Sequence, residues 1–132
     1  MMPLNQQLLQ TIDIFLEDYF ARSQETGRLL AQHLPDKSQI RKLETLILST
    51  SRFSEIKNFI KNQAGKERDQ DNKWRRVAPR LLRQLDELEA QAHALGGGDP
   101  ATILAVKLQL ARGWAKQVVA HYLFELSGCG QE

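Results

Sequence analysis

The stretch from Trp74 to Leu95 restricts the fold most, because its apolar residues recur without a break at alternating steps of four and three. A repeat of 3.5 residues keeps one side of an α-helix apolar and lays that side along a partner helix. The alternation of apolar and polar residues that marks a β-strand is not sustained anywhere in the chain. The sequence therefore predicts an all-α fold with this seam buried. Its positions are Trp74, Ala78, Leu81, Leu85, Leu88, Ala92 and Leu95.

Three more helices are predicted before the seam. The first runs from about residue 4 into the low thirties, and we expect Gly27 to bend or split it, since glycine disfavours a helix interior. Asp36 or Ser38 caps the second, and the polar run at residues 49–51 interrupts it, because such side chains compete for backbone hydrogen bonds. The third is short and ends near Gly65.

The last helix is predicted from Asp99-Pro100, which supplies an N-cap followed by proline at the first helical position, to about Ser127. It is apolar on several sides, so it belongs at the centre of a bundle or at an oligomer interface, with Trp114 and Val118 buried. Within the Trp74–Leu95 repeat, Pro79 is expected to kink the helix or delay its start.

These elements predict a compact bundle of about five helices. The chain has 132 residues, a length that suits one domain, since domains most often have about 100–150 residues. We therefore expect a single helical domain over residues 1–132, with a mobile loop at 64–72, a glycine linker at 96–98 and a frayed tail at 128–132.

Charge is unevenly distributed along the chain, although the net charge is only +2. Residues 1–36 have a net charge of −3, residues 37–83 of +8, and residues 84–132 of −3. Segregation of charge along a chain is typical of a binding surface, and the small net charge does not reveal it. The middle third is therefore the region in which we look for a site.

The clearest basic pattern is on the predicted fourth helix. Lys73, Arg76, Arg80 and Arg83 step by three, four and three, so they share one face, which lies away from the apolar seam. Arg75 flanks this face, and the two preceding helices add further cations. The candidate nucleic-acid-binding residues are Arg41, Lys42, Arg52, Lys57, Lys61, Lys73, Arg75, Arg76, Arg80 and Arg83.

One explanation of these cations is an ordinary solvated surface, partly neutralised by neighbouring acids. Two functional explanations remain open beside it. Like charges one turn apart repel by a few tenths of a kcal/mol per pair, roughly, which a bound polyanion would offset. Aromatic residues do not interleave with the cations as they do in proteins that stack single-stranded bases, so contact with phosphates is favoured over base reading. The alternative is a helical adaptor whose basic face meets an acidic protein, without nucleic acid.

Catalytic and metal-binding patterns are weak. Gly96-Gly97-Gly98 does not follow a strand and lacks the spacing of a phosphate-binding loop. Cys129 lies near the end of the chain, where nothing would hold a base beside it. The pairs Glu89/His93 and His121/Glu125 are spaced by four, whereas di-metal bundles use Glu-x-x-His with further carboxylates. We expect no enzyme activity, no metal site and no cofactor.

The cellular setting is also an expectation from composition. The chain has one cysteine, so it cannot form an internal disulfide, which favours a reducing compartment. It has no signal-peptide pattern at its N-terminus and no apolar stretch of the roughly 20 residues that span a bilayer. We expect a cytoplasmic protein without a membrane partner.

Two stretches of the chain carry a resemblance to known proteins. The run Ser38-Gln39-Ile40-Arg41-Lys42-Leu43, continuing through Ser51-Arg52-Phe53-Ser54-Glu55-Ile56-Lys57-Asn58-Phe59-Ile60, is similar to the Ser-Gln-Ile-Arg and Arg-x-Phe/Ile patterns of the small subunits of CRISPR interference complexes. The run Ala111-Arg112-Gly113-Trp114-Ala115-Lys116 through Tyr122-Leu123-Phe124 is similar to the C-terminal helical part of type I-D large subunits. In that system the small subunit can be translated from within the large-subunit gene.

The resemblance implies a specific role in antiviral defence. The chain would be a non-catalytic DNA- or RNA-binding small subunit of a Cascade-, Csm- or Cmr-like complex. Its partners would be the guide RNA–target DNA, the other subunits, and further copies of itself packed head to tail. It would hold the target or displaced strand through phosphates, while base pairing with the guide supplies sequence specificity.

Overall fold

Five α-helices form the fold in the computed structural model, which describes residues 4–66 and 73–128. They are α1 (Gln6–His33), α2 (Lys37–Ser49), α3 (Phe53–Lys66), α4 (Lys73–Leu95) and α5 (Pro100–Leu126). The described residues contain no β-strand. The predicted all-α bundle of five helices is therefore confirmed.

Helix α5 occupies the centre of the bundle and contacts all four other helices. Its largest side chains, Trp114 and Tyr122, are buried, as is Val118. The apolar seam of α4 is buried from Trp74 to Ala92, which confirms the prediction from its 3.5-residue repeat. The Tyr122 hydroxyl donates to the Leu34 carbonyl oxygen over 2.5 Å, and burial raises the pKa of Tyr122 to about 12.

Helices α2 and α5 begin at N-caps that the sequence predicted. Asp36 caps α2 by accepting from the Ser38 amide at 3.0 Å, and Asp99 caps α5 by accepting from the Thr102 amide at 3.1 Å. The turn between α2 and α3 is formed at Thr50, whose hydroxyl oxygen accepts from the Arg52 amide at 3.0 Å. Backbone N–H groups in the first turn of a helix, or in a turn between two helices, have no carbonyl partner in the helix itself. These side chains supply the missing acceptors.

Two expectations about α1 and α4 are wrong in part. Gly27 does not split α1, which runs unbroken from Gln6 to His33; the glycine instead permits close packing against α5. A Cβ atom at Gly27 would lie 2.6 Å from the Val118 carbonyl oxygen and 2.9 Å from the Tyr122 nitrogen. Pro79 does not delay α4, which begins at Lys73, because burial of Trp74 and Val77 stabilises the turns before the proline.

The predicted loop boundaries also change. Helix α3 continues through Lys66, so residues 64–66 are helical rather than part of a mobile loop. The remainder of that predicted loop, 67–72, and residues 129–132 of the predicted tail lie outside the described residues. Residues 96–98 form a defined turn, in which the Gly96 amide donates to Ala92 at 2.8 Å and Gly97 and Gly98 have positive φ angles of 62° and 87°.

Candidate nucleic-acid interface

The basic stripe of α4, formed by Lys73, Arg76, Arg80 and Arg83, lies beside α1. Arg80 and Arg83 line a groove with Arg22 and Glu25 of α1, and with Gln84 and Glu87 of α4 itself. Lys73 and Arg76 line a second groove with Gln32 and His33 of α1. Both grooves follow the same antiparallel pair of helices, and we refer to the two together as the α1–α4 groove. The stripe predicted from spacing is thus one wall of a groove, and α1 supplies the other wall.

The wall formed by α4 is largely accessible. Lys73, Arg76 and Arg83 are exposed, while Arg80 is half-buried. The opposite side of α4 carries the buried apolar seam, so the helical spacing separates the two faces as expected. An anion in the groove can therefore reach the guanidinium groups without any change in the core.

Gln84 forms the floor of the groove and connects three helices. Its side-chain oxygen accepts from the Thr26 hydroxyl of α1 at 2.7 Å and from the Trp114 indole nitrogen of α5 at 2.9 Å. Its amide nitrogen donates to the Arg22 carbonyl oxygen at 3.3 Å. Gln84 is only 5% exposed. Its hydrogen bonds therefore fix the position of α1 relative to the arginines of α4.

Replacing Gln84 by leucine should destabilise the protein while keeping nearly the same side-chain volume. The Trp114 indole N–H would lose its acceptor, whereas the Thr26 hydroxyl can still donate to the Arg22 carbonyl oxygen at 3.1 Å. One unsatisfied buried group costs about 1–3 kcal/mol, and we expect urea denaturation to show a loss of this size in the free energy of unfolding. Gln10→Leu, at an exposed position of α1, is the control and should change it little. A Gln84→Leu protein as stable as wild type would contradict the assigned contacts.

Arg22 is a candidate residue that sequence reasoning missed. Its guanidinium lies 5.5 Å from the centre of the Tyr19 ring, and its Nη1 atom is 3.4 Å from Oε1 of Glu87. The same carboxylate oxygen accepts from the Tyr19 hydroxyl at 2.5 Å. Burial, together with this hydrogen bond to a negative group, raises the pKa of Tyr19 above its ordinary value, so the phenol remains a donor.

The cations of α3 lie on the other flank of α4. Helix α3 packs beside α4, and Lys57 contacts Asp86 at 2.5 Å and Glu89 at 2.9 Å. Burial alone would lower the pKa of Lys57, but the hydrogen bonds to these two carboxylates outweigh it and raise the pKa. Glu89 also accepts from Lys107 at 2.8 Å. The charge of Lys57 is therefore balanced within the protein.

The remaining predicted cations are dispersed. Arg52 lines a separate groove with Lys57, Glu89 and Lys107, and Lys61 is exposed on α3. Arg75 donates from Nε to the Ala64 carbonyl oxygen at 3.1 Å, toward the end of α3. On α2, Arg41 pairs with Glu44 at 2.8 Å and Lys42 is exposed. The residues that the structure brings together are Lys73, Arg76, Arg80 and Arg83, with Arg22 added.

An apolar groove lies on the opposite flank of α1, between α1 and α5. Phe20 and Phe124 are 43% and 48% exposed there, and the groove is also lined by Gln24, Gln117, Ala120 and His121. The His121 and Phe124 rings are 5.8 Å apart. This surface has little charge, in contrast to the α1–α4 groove.

No group of three or more histidine, cysteine, aspartate or glutamate side chains in residues 4–66 and 73–128 is placed to hold a metal ion. His121 Nε2 lies 3.3 Å from Glu125, one helical turn away. None of the helices in this part of the chain combines the length and the apolar character needed to cross a membrane.

Comparisons with known proteins do not assign the α1–α4 groove to a family. No protein-family model, curated protein sequence or solved structure matches this chain.

Proposed function

We propose that this protein is a non-catalytic nucleic-acid-binding subunit that holds a strand by its backbone phosphates along the α1–α4 groove. The observation that carries the proposal is the alignment of Lys73, Arg76, Arg80 and Arg83 along the groove. These residues span about 15 Å of helix axis, at 1.5 Å per residue. Arginine guanidinium groups bind phosphate oxygens through paired hydrogen bonds, so this row suits a chain of phosphates.

The position of α4 in the bundle favours phosphate contact over base reading. A recognition helix reads bases by entering the major groove, which is about 12 Å wide. Helix α4 is flanked by α1 on one side and by α3 on the other, so it does not project as such a helix does. Contacts from its exposed stripe to a backbone would position a strand without reading its sequence.

The narrower proposal is that the strand belongs to an RNA-guided antiviral complex. It is supported by the resemblance of residues 38–43 and 51–60 to CRISPR small subunits, and of residues 111–124 to the C-terminal helical part of type I-D large subunits. In such a complex the guide supplies sequence specificity by base pairing, so a subunit needs only sequence-independent contacts. The α1–α4 groove offers contacts of this type, and other surfaces would meet neighbouring subunits or further copies.

The second candidate function is that of a helical adaptor without nucleic acid. It is favoured by the apolar groove at Phe20 and Phe124, since exposed aromatic side chains are enriched where proteins meet. In that case the α1–α4 groove would bind an acidic protein surface. The two functions differ in how strongly binding depends on salt.

A filter-binding titration over a range of salt concentrations separates these functions. If the groove neutralises about four phosphates, the logarithm of the association constant should fall with the logarithm of salt concentration with a slope of about −3. Strands of unrelated sequence should bind with affinities that agree within about threefold, because phosphates carry no sequence information. Failure to bind nucleic acid at low salt would contradict the proposal and favour the adaptor.

A further inference from the structure

The basic stripe of α4 ends on an acid. Arg76, Arg80 and Arg83 are followed on the same helix face, one turn later, by Glu87. Glu87 lines the groove with Arg80 and Arg83. A carboxylate in this row cannot bind phosphate as the preceding three residues would, so its role in the groove depends on the groups that contact it.

Glu87 is engaged by two groups of α1. Its Oε1 atom accepts from the Tyr19 hydroxyl at 2.5 Å and lies 3.4 Å from Nη1 of Arg22. The tyrosine is 4% exposed, so its hydroxyl holds the carboxylate from a fixed position. The Arg22 side chain is 64% exposed, which leaves its guanidinium accessible from the groove.

The contact between Arg22 and Glu87 is easily exchanged. Ion pairs between exposed side chains contribute little net free energy, because water solvates both partners almost as well. The backbone of Arg22 is meanwhile fixed, since its carbonyl oxygen accepts from the buried Gln84 amide at 3.3 Å. The guanidinium can therefore turn from Glu87 to another anion in the groove without moving α1.

We propose that Glu87 is an internal competitor for phosphate, occupying Arg22 until a nucleic-acid backbone enters the α1–α4 groove. The inference rests on the proposed function and adds two residues to it. Arg22 is a binding residue, opposite Arg80 and Arg83 across a groove of about 280 Å³. Glu87 is a positioning residue that holds Arg22 at the groove in the free protein and limits the affinity for polyanions.

The test is a double-mutant cycle with Glu87→Gln and Arg22→Gln, using a short single-stranded DNA of mixed sequence. Glutamine at position 87 can still accept from Tyr19 but carries no charge, so Arg22 no longer has to leave an opposite charge about 4 Å away before it binds phosphate. Glu87→Gln should therefore tighten Kd by about fivefold, the worth of that attraction in water. Arg22→Gln should weaken Kd by a similar factor. In the Arg22→Gln background, Glu87→Gln should change Kd by less than about twofold.

The control is Glu17→Gln, which removes one charge from an exposed position of α1 outside the groove and should leave Kd unchanged. Circular dichroism checks that every variant is folded. An unchanged Kd for Glu87→Gln, or an equal gain with and without Arg22, would overturn this inference. If reversal of the α4 arginines still abolished binding, the proposed function would stand. A wild-type protein that does not bind DNA would overturn both.

Discussion

A protein with Arg76, Arg80 and Arg83 all replaced by glutamate is expected to bind nucleic acid more than about a hundredfold more weakly at roughly 0.1 M salt. Each substitution removes an attraction to phosphate and adds a repulsion. Arg76 and Arg83 are exposed and Arg80 is half-buried, so the apolar seam is untouched. The new acids at positions 80 and 83 would face Glu25 and Glu87, which should lower stability by only about 1 kcal/mol.

The matched control reverses three cations outside the α1–α4 groove. Lys37, Lys66 and Lys116 are exposed on α2, α3 and α5, and their replacement by glutamate changes the net charge by the same amount. We expect binding to this control to weaken by less than about tenfold, through long-range repulsion that salt screens. Equal losses in the two proteins would show that net charge, and not the groove, determines binding. The measurement is fluorescence anisotropy with a labelled single strand.

Gly27→Ala is expected to destabilise the protein by about 2–3 kcal/mol, the cost typical of overpacking a close contact. Alanine normally favours a helix interior over glycine by about 1 kcal/mol. Here the added Cβ would lie 2.6 Å from the Val118 carbonyl oxygen. Because that atom belongs to the backbone of α5, no side-chain rotation relieves the overlap, and α1 and α5 must move apart.

Gly65→Ala is the control for this prediction. Gly65 is also helical, but nothing lies within 4 Å of a Cβ built there, so alanine should stabilise the protein slightly, by up to about 1 kcal/mol. Urea denaturation of both variants gives the two free energies of unfolding. A Gly27→Ala protein at least as stable as wild type would contradict the close packing of α1 on α5.

The helices and their buried faces could be predicted because their signals are local. The repeat of α4 determines which side of that helix is apolar, whatever it packs against, and Leu81, Leu85 and Leu88 are buried as expected. Gly27 could not be interpreted in the same way. Its role depends on the backbone of α5 at Val118, far along the chain, and a lone glycine in a helical pattern carries no information about such a neighbour.

The candidate site, too, could be predicted only where its signal is local to one helix. Spacing correctly placed Arg76, Arg80 and Arg83 on one face, because steps of three and four return to nearly the same azimuth. It did not identify Arg22, which reaches the groove only through the packing of α1 on α4. It also gave no sign that Lys57 would be held by Asp86, since ion pairs between helices depend on tertiary structure.

The most direct test of the α1–α4 groove is a titration of isotopically labelled protein with a single-stranded DNA, followed by the chemical shifts of its backbone amides. The shifts should change most at residues 22–33 and 73–87, which form the two walls of the groove. They should return to their starting values when salt is added, because the contacts are to phosphates. Changes confined to residues 117–124 of the apolar groove, or no changes at all, would contradict the account.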